Sequence, residues 1–315
     1  MQIFSSKLNL DFLKVGNIAV VFSLILILVS IAELTFNGLN FGLDFTGGTK
    51  VEVRYDKTAD LIKIRKELTD AGYQQAVAQY FGTSKDVTIR LGVLQGGGKD
   101  KAEISNDILS VLRSSGDKVE MRGIEFVSAT VGEELTEQGI LAVVVMLICI
   151  MLYVALRFEW KFSVGAVAAL AHDVLITTGV FSLFGLEFDL NVLAAILAVI
   201  GYSLNDTIVV YDRIRENFLR MRKGSPRDII NISLNQTLSR TLITSGTTIF
   251  VLVALFVWGG QMIHGFATAL LIGIIIGTYS SIYVASLLAL KLGVTKEDLM
   301  PTVIEKEGAD QDALM

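Results

Sequence analysis

A polytopic α-helical membrane protein with one α+β domain on its outer side is the fold class this sequence predicts. Three observations lead there. Six apolar stretches reach membrane length in a 315-residue chain that is 52% hydrophobic, and about 20 apolar residues suffice for a helix to cross a bilayer. Residues 37–138, between the first two stretches, carry strand and helix periodicities of a compact domain. Lys and Arg collect in alternate short loops, which sets the orientation of the spans.

The first stretch, Val15–Leu34, follows Lys7 and Lys14. A secretion signal begins in the same way. This stretch is long enough to span, however, and no small-x-small cleavage pattern precedes Glu33, so an uncleaved anchor helix is expected. In the domain, Thr49–Asp56 alternates, with Val51, Val53 and Tyr55 on one face and Lys50, Glu52 and Arg54 on the other, the mark of a half-buried strand. Thr58 is the expected cap of a helix with Leu61, Ile64, Leu68 and Ala71 on its apolar face, stopping near Gly72. Strands are expected over Gln75–Phe81 and Asp86–Leu91. A flexible Gly96-Gly97-Gly98 connection follows, then a helix over about Lys101–Ser114 burying Ile104, Ile108, Val111 and Leu112. Lys118–Ala129 closes the domain as a strand. The order is βαββαβ, a ferredoxin-like split unit, and Gly132–Glu137 leads into the second span.

The other spans are Gly139–Leu156, Phe162–Phe184, Leu190–Tyr211, Leu242–Trp258 and Phe266–Leu290. Backbone groups in hydrocarbon must bond within their own segment, so each is helical. Arg157 and Lys161 lie between spans two and three, and six Lys and Arg residues from Arg213 to Arg227 follow span four. Gly185–Asp189 and Gly259–Gly265 contain none. Both termini are therefore expected in the cytoplasm, with 37–138 outside. The four parts are 1–36 (N-terminus and first helix), 37–138 (outer domain), 139–290 (helices two to six) and 291–315 (a solvated, partly disordered tail). Asp212–Arg222 is expected as a separate short basic helix. Gly224-Ser225-Pro226 then restarts a helix, with Ser225 as its cap and Pro226 first.

Ionisable residues inside the spans carry the chemistry, because they are costly there and face a partner, a cavity or an ion path. Asp206 sits in the polar run Gly201-Tyr-Ser-Leu-Asn-Asp-Thr207, beside Ser203 and Asn205. Its competing reading is a carboxylate near the inner interface that reaches water. Gly201 is expected to let a neighbouring backbone approach. Arg240 opens span five at a similar depth. An Asp206–Arg240 pair keeps both groups charged near lipid and forms either a protonation switch or a static ion pair. Asp173, near mid-membrane, is a structural hydrogen-bonding group or a lesser member of the ion path. Its neighbour His172 points about 100° away around the helix, so no direct dyad is implied and a packing role is favoured. Gly273 and Gly277 form a small-xxx-small face.

Several classes are set aside. A net charge of −5 with no basic face argues against nucleic acid. Cys149 is the only cysteine, is read as a small buried hydrophobe, and excludes an intrachain disulfide. Gly42-Leu-Asp-Phe-Thr-Gly47-Gly48-Thr49 has phosphate-loop spacing, but Gly48 stands where Lys is required. Two histidines, one in a span and one in an outer loop, suggest no metal cluster, and no nucleophile–base pair stands out. No enzyme activity and no cofactor are expected.

Asn40-Phe-Gly-Leu-Asp-Phe-Thr-Gly-Gly-Thr49, just outside a first span, resembles the signature of the SecD/SecF family of bacterial protein export. Ala171-His-Asp173, Gly201-Tyr-Ser-Leu-Asn-Asp206 with Asp212-Arg-Ile-Arg215, and Ser239-Arg240-Thr-Leu-Ile-Thr-Ser245 resemble its SecF branch. The resemblance runs through nearly the whole chain in order. It implies half of a resistance-nodulation-division (RND) bundle with a periplasmic domain, in the bacterial inner membrane. SecD supplies the other six helices, beside SecYEG and YajC, and the assembly uses the proton gradient to release exported preproteins on the periplasmic side. Asp206 matches the family's proton-path aspartate and Arg240 its essential arginine, with protons as the coupling ion. Asp44, Gly47 and Gly48 match the signature at the domain root, where a hinge is expected. A half-size exporter of small molecules and a purely structural translocon subunit are the alternatives.

Overall fold

The structure is a computed structural model that describes residues 10–299 except 75, 93–100, 115 and 222. The Gly96–Gly98 connection and most of the tail therefore lie outside the described residues. In chain order the elements are α1 (Gly16–Phe36), β1 (Asn40–Phe41), α2 (Leu43–Thr46), β2 (Gly48–Tyr55), α3 (Leu61–Asp70), β3 (Val77–Phe81), β4 (Thr83–Leu91), α4 (Lys101–Ser114), β5 (Val119–Val127), α5 (Ala129–Arg157), α6 (Trp160–Leu183), β6 (Glu187–Phe188), α7 (Leu190–Arg220), α8 (Pro226–Trp258) and α9 (Gln261–Ser280). A π turn over Ser281–Ala285 links α9 to α10 (Ser286–Lys291).

Six helices are long and apolar enough to cross a membrane. In their most apolar windows, 56% of α6 and 44% of α7 are buried, against 17% or less for α1, α5 and α8. The bundle is thus built around α6 and α7 with span six, 39% buried, beside them, and α1, α5 and α8 turn large apolar faces outward. Glycines set the closest approaches. A Cβ at Gly179 of α6 would lie 2.7 Å from Ser30 Cα of α1. Gly273 and Gly277 seat Val199 and Ser203 of α7, the close contact expected of that pair.

The domain's strands form one antiparallel sheet in the order β3-β4-β2-β5. The βαββαβ element order matches the expected one. Val51, Val53 and Tyr55 are buried together with Ile64, Leu68, Ile108 and Leu112, so the alternation in β2 marks the face packed on α3 and α4. Asp60, not Thr58, caps α3, accepting from the N–H groups of Ile62 and Lys63. Cap preference ranks Asp above Thr, and Asp60 is the residue next to the first helical turn.

Arg54 of β2 holds Asp86 of β4 through two guanidinium N–H groups, and Thr83 adds a third donor. These bonds pull the Asp86 carboxyl down to about 2. A depressed carboxyl stabilises the fold above its unfolded value of 3.8, and that contribution is lost as pH falls toward 2. In the intact protein, Asp86→Asn should speed hydrogen exchange of β2 and β4 amides at pH 7 by a few-fold to about tenfold, the range of a charge-assisted bond discounted for solvent screening. The gap between mutant and parent should close between pH 4 and pH 2. A gap that persists there would remove the carboxylate from the account.

Residues 132–137 lead into the second span as the first turns of α5, which runs unbroken from Ala129. Three expectations are corrected. Asp212–Arg220 is not a separate helix but the last turns of α7. Nothing but side-chain polarity changes at Tyr211, and polarity alone does not end a helix. Gly201 is exposed and nothing packs where its Cβ would be. Cys149 is exposed on the outward face of α5, where an apolar surround in a bilayer is lipid or a partner, not the bundle core.

Candidate functional site

The α7 segment around residue 206 meets α8 on one side and the π turn of span six on the other. Asp206 is 6% exposed. Its Oδ1 accepts from Thr241 Oγ1 of α8 at 2.6 Å. Its Oδ2 is buried and has no hydrogen-bond partner among the described residues. The carboxyl group is therefore half satisfied inside apolar helices, which is costly for a fixed charge and suited to a group that takes up and gives back a proton.

Asp206 and Arg240 make no ion pair at contact distance among the described residues, and the Arg240 side chain is exposed, though its charge stands close enough to act on Asp206. Helix geometry explains this. Arg240 and Thr241 stand about 100° apart on α8, so only one of them can point straight at Asp206. Thr241 is buried and faces the acid. Arg240 remains at the same level of the bundle, on its rim. Asn205 is exposed as well, as are Thr244 and Thr247 of α8. Tyr202 Oη donates to Thr248 Oγ1 at 3.3 Å along the same seam. An apolar wall thus carries a strip of polar side chains centred on the half-satisfied acid.

Asp173 lies on the other flank of α7. It is fully buried, and both its oxygens are engaged. Oδ2 accepts from Ser203 Oγ of α7 at 2.6 Å and from Ser280 Oγ of α9 at 2.8 Å. Oδ1 is hydrogen-bonded to His172 Nδ1 at 2.9 Å. The expected separation of these two neighbours does not hold. Their Cβ atoms diverge by about 100°, yet an imidazole is long enough to bend back along the helix flank. His172 Nε2 reaches Ser23 Oγ of α1 at 3.2 Å, and Ser23 lies 3.0 Å from Tyr279 Oη. Tyr279 in turn donates to Ala19 O at 2.7 Å. One polar chain therefore ties α1, α6, α7 and α9 together around Asp173. Asp173 is bonded through both oxygens; Asp206 links α7 to α8 through one oxygen and keeps the other unpaired.

Sequence reasoning passed over Thr241, Ser280 and Ser281. Thr207 Oγ1 lies 2.9 Å from Ser281 Oγ, at the start of the π turn. Tyr211 Oη donates to Ala285 O and Ser286 Oγ donates to Ser281 O, tying α7 and the head of α10 to the π turn. The signal was the run Ser280, Ser281 and Ser286 in an otherwise apolar span.

The signature loop anchors the βαββαβ domain to the helix bundle. β1 pairs in parallel with β6, Asn40 beside Glu187 and Phe41 beside Phe188. Asp44 Oδ2 accepts from Leu190 N, at the first residue of α7. Gly47 has φ +67° and Gly48 φ +124°; the first packs on Ala129 of α5 and the second on Leu91 of β4. The domain root thus touches α5 and the same helix that bears Asp206. Among the described residues no group of His, Cys, Asp and Glu is arranged to hold a metal.

The model of the C-terminal region of SecD/SecF protein export membrane proteins matches residues 107–295, and that of the SecD/SecF GG motif matches 34–59. The protein translocase subunit SecF of Vibrio alginolyticus is 56% identical over 99% of both chains. That of Escherichia coli O157:H7 is 46% identical over 97% of this chain and 94% of its own. A crystal structure of SecDF, a translocon-associated membrane protein from Thermus thermophilus, superposes with a TM-score of 0.83 at 36% identity over 92% of this chain. A structure of SecDF in a super-membrane-facing form does so at 0.69 with the same identity and coverage. The chain spans 39% of the length of each of those two.

Proposed function

This chain belongs to the SecF branch of the SecD/SecF protein-export family, and on that premise we propose that it uses the proton motive force, together with SecD, to promote export and release of preproteins outside the inner membrane. The observation that carries the reading is the half-satisfied Asp206 set in a polar strip on the bundle's rim. Arg240, Asn205, Thr244 and Thr247 are exposed at membrane depth, where lipid is a poor surround for charge and a protein partner a good one. SecD is that partner, completing a twelve-helix bundle and enclosing the strip as a proton path. SecYEG and YajC stand beside it. The termini are cytoplasmic, and the βαββαβ unit is a ferredoxin-like periplasmic domain. No cofactor beyond the proton is required.

Movement reaches the domain through the clamp between β1, Asp44 and the head of α7. That two SecDF structures superpose at 0.83 and 0.69 with equal identity supports a fold whose parts take more than one arrangement. Vesicles holding SecYEG, SecD and this chain should export preprotein faster when an inward proton gradient is imposed, and should take up protons as they do so. One charge crossing 100 mV releases about 2.3 kcal/mol, so each proton is a usable step. Vesicles with this chain but without SecD should show neither effect. Gradient-driven stimulation that persists without this chain would end the proposal.

A further inference from the structure

A cavity of about 430 Å³ lies between the outer domain and the outer ends of the membrane helices. Its roof is the sheet face that α3 and α4 leave uncovered, with Lys50, Gln79 and Thr88. Its floor holds Asp189 and Asn191 at the head of α7 and Thr268 of α9. Asp44 stands on its wall.

Two features make this a built site. Thr88 is 1% exposed, and its hydroxyl is buried without a hydrogen-bond partner among the described residues. Leaving a hydroxyl unpaired is costly, and a ligand group able to pair with it removes that cost. The second feature is charge. Glu187 is paired with Arg90 at 3.0 Å, and Lys50 is shared between Glu52 at 3.1 Å and Glu125 at 3.4 Å. Asp44 and Asp189 have no ion-pair partner among the described residues; each accepts a backbone N–H of α7, from Leu190 and Val192. Burial raises the Asp189 carboxyl above its ordinary value, and the negative charges of Asp44 and Glu187 add to the rise. A cation placed there offsets the crowded negative charge. Phe81, Leu186 and Phe256 also line the cavity, apolar cover for an aliphatic stem or an aromatic neighbour.

We propose that this cavity binds an extended polypeptide through a Lys or Arg side chain held between Asp44 and Asp189, with Thr88 pairing to the peptide main chain. The proposal rests on the protein-export reading and says where the passing chain is gripped. The grip sits on the clamp between the domain and α7, so cavity opening and α7 movement are one event.

The test uses the full chain with SecD in lipid nanodiscs, carrying a photoreactive residue at Gln79. Octapeptides with a central Lys-Phe or Glu-Phe are offered without translocon or gradient. The Lys peptide should label about tenfold more strongly than the Glu peptide. Asp189→Asn should lower labelling about tenfold; Asn is an equally good helix cap, so α7 keeps its start. Thr88→Val should lower labelling about threefold while leaving thermal stability unchanged or higher, since it removes an unpaired hydroxyl. Equal labelling by both peptides, or labelling indifferent to Asp189→Asn, overturns the proposal. Because labelling needs no gradient, its failure beside intact gradient-driven export falls on this inference alone. Labelling that persists where the gradient does not stimulate export supports the site and counts against the export reading.

Discussion

Asp206→Asn is expected to return gradient-driven export to its gradient-free rate, a loss of about tenfold or more in the stimulation, with the protein present at normal level. The substitution keeps size and shape. Its amide oxygen still accepts from Thr241, so the contact between α7 and α8 that is seen at 2.6 Å remains. What disappears is a group able to exchange a proton, and with it the coupling worth about 2.3 kcal/mol per charge at 100 mV. Thr241→Val should have a smaller effect of a different kind. It strips the one hydrogen bond from a buried carboxyl group whose other oxygen already has none, at about 1–3 kcal/mol. Export assays in vesicles with and without an imposed gradient separate the two. If Asp206→Asn retained full stimulation, Asp206 would be a structural group and the energy coupling would lie elsewhere.

Gly48→Ala should be the most damaging single change at the domain root. Gly48 has φ +124°, a region that side chains rarely adopt, and a Cβ there would lie 2.3 Å from Leu91 O. That oxygen belongs to the strand paired with β2, in register through Thr49 and Leu91. It cannot withdraw without parting the ladder. Backbone strain of about 1–3 kcal/mol and a steric cost of similar size together approach the stability of a small domain. Gly116→Ala is the control. Gly116 also has positive φ, +83°, but open space surrounds it, so it should cost only about 1 kcal/mol. Thermal unfolding of the intact protein in detergent, with limited proteolysis near the root, compares the two. Equal destabilisation would show that conformation alone, and not close approach, accounts for Gly48.

The spans were legible because crossing a bilayer is a local demand. Twenty apolar residues in a row meet it whatever surrounds them, and Val15–Leu34 and Leu190–Tyr211 could be found by length alone. The domain's strands were legible for a similar reason, since Val51, Val53 and Tyr55 repeat every second residue and are the residues that became buried. Ends were less readable. α5 begins at Ala129, ten residues before its apolar run, because the domain root packs on it at Gly47 and Gly132. The Asp206–Arg240 contact was argued from equal depth and the gap between His172 and Asp173 from angular position on a helix. Contact depends also on side-chain reach and on how the neighbouring helix is turned.

By itself the sequence determined the kind of protein: six spans, one βαββαβ domain between the first two, and acids at depths where acids are rarely placed. Those are properties of composition and periodicity along a line. Only the tertiary structure decided that Thr241 and not Arg240 meets Asp206, that Asp173 is bonded on every side, and that the signature loop grips the head of α7. Such partners lie tens to hundreds of residues apart. Helix rotation, glycine-set approach distances and the competition of buried polar groups for donors choose among them, and none of these is local.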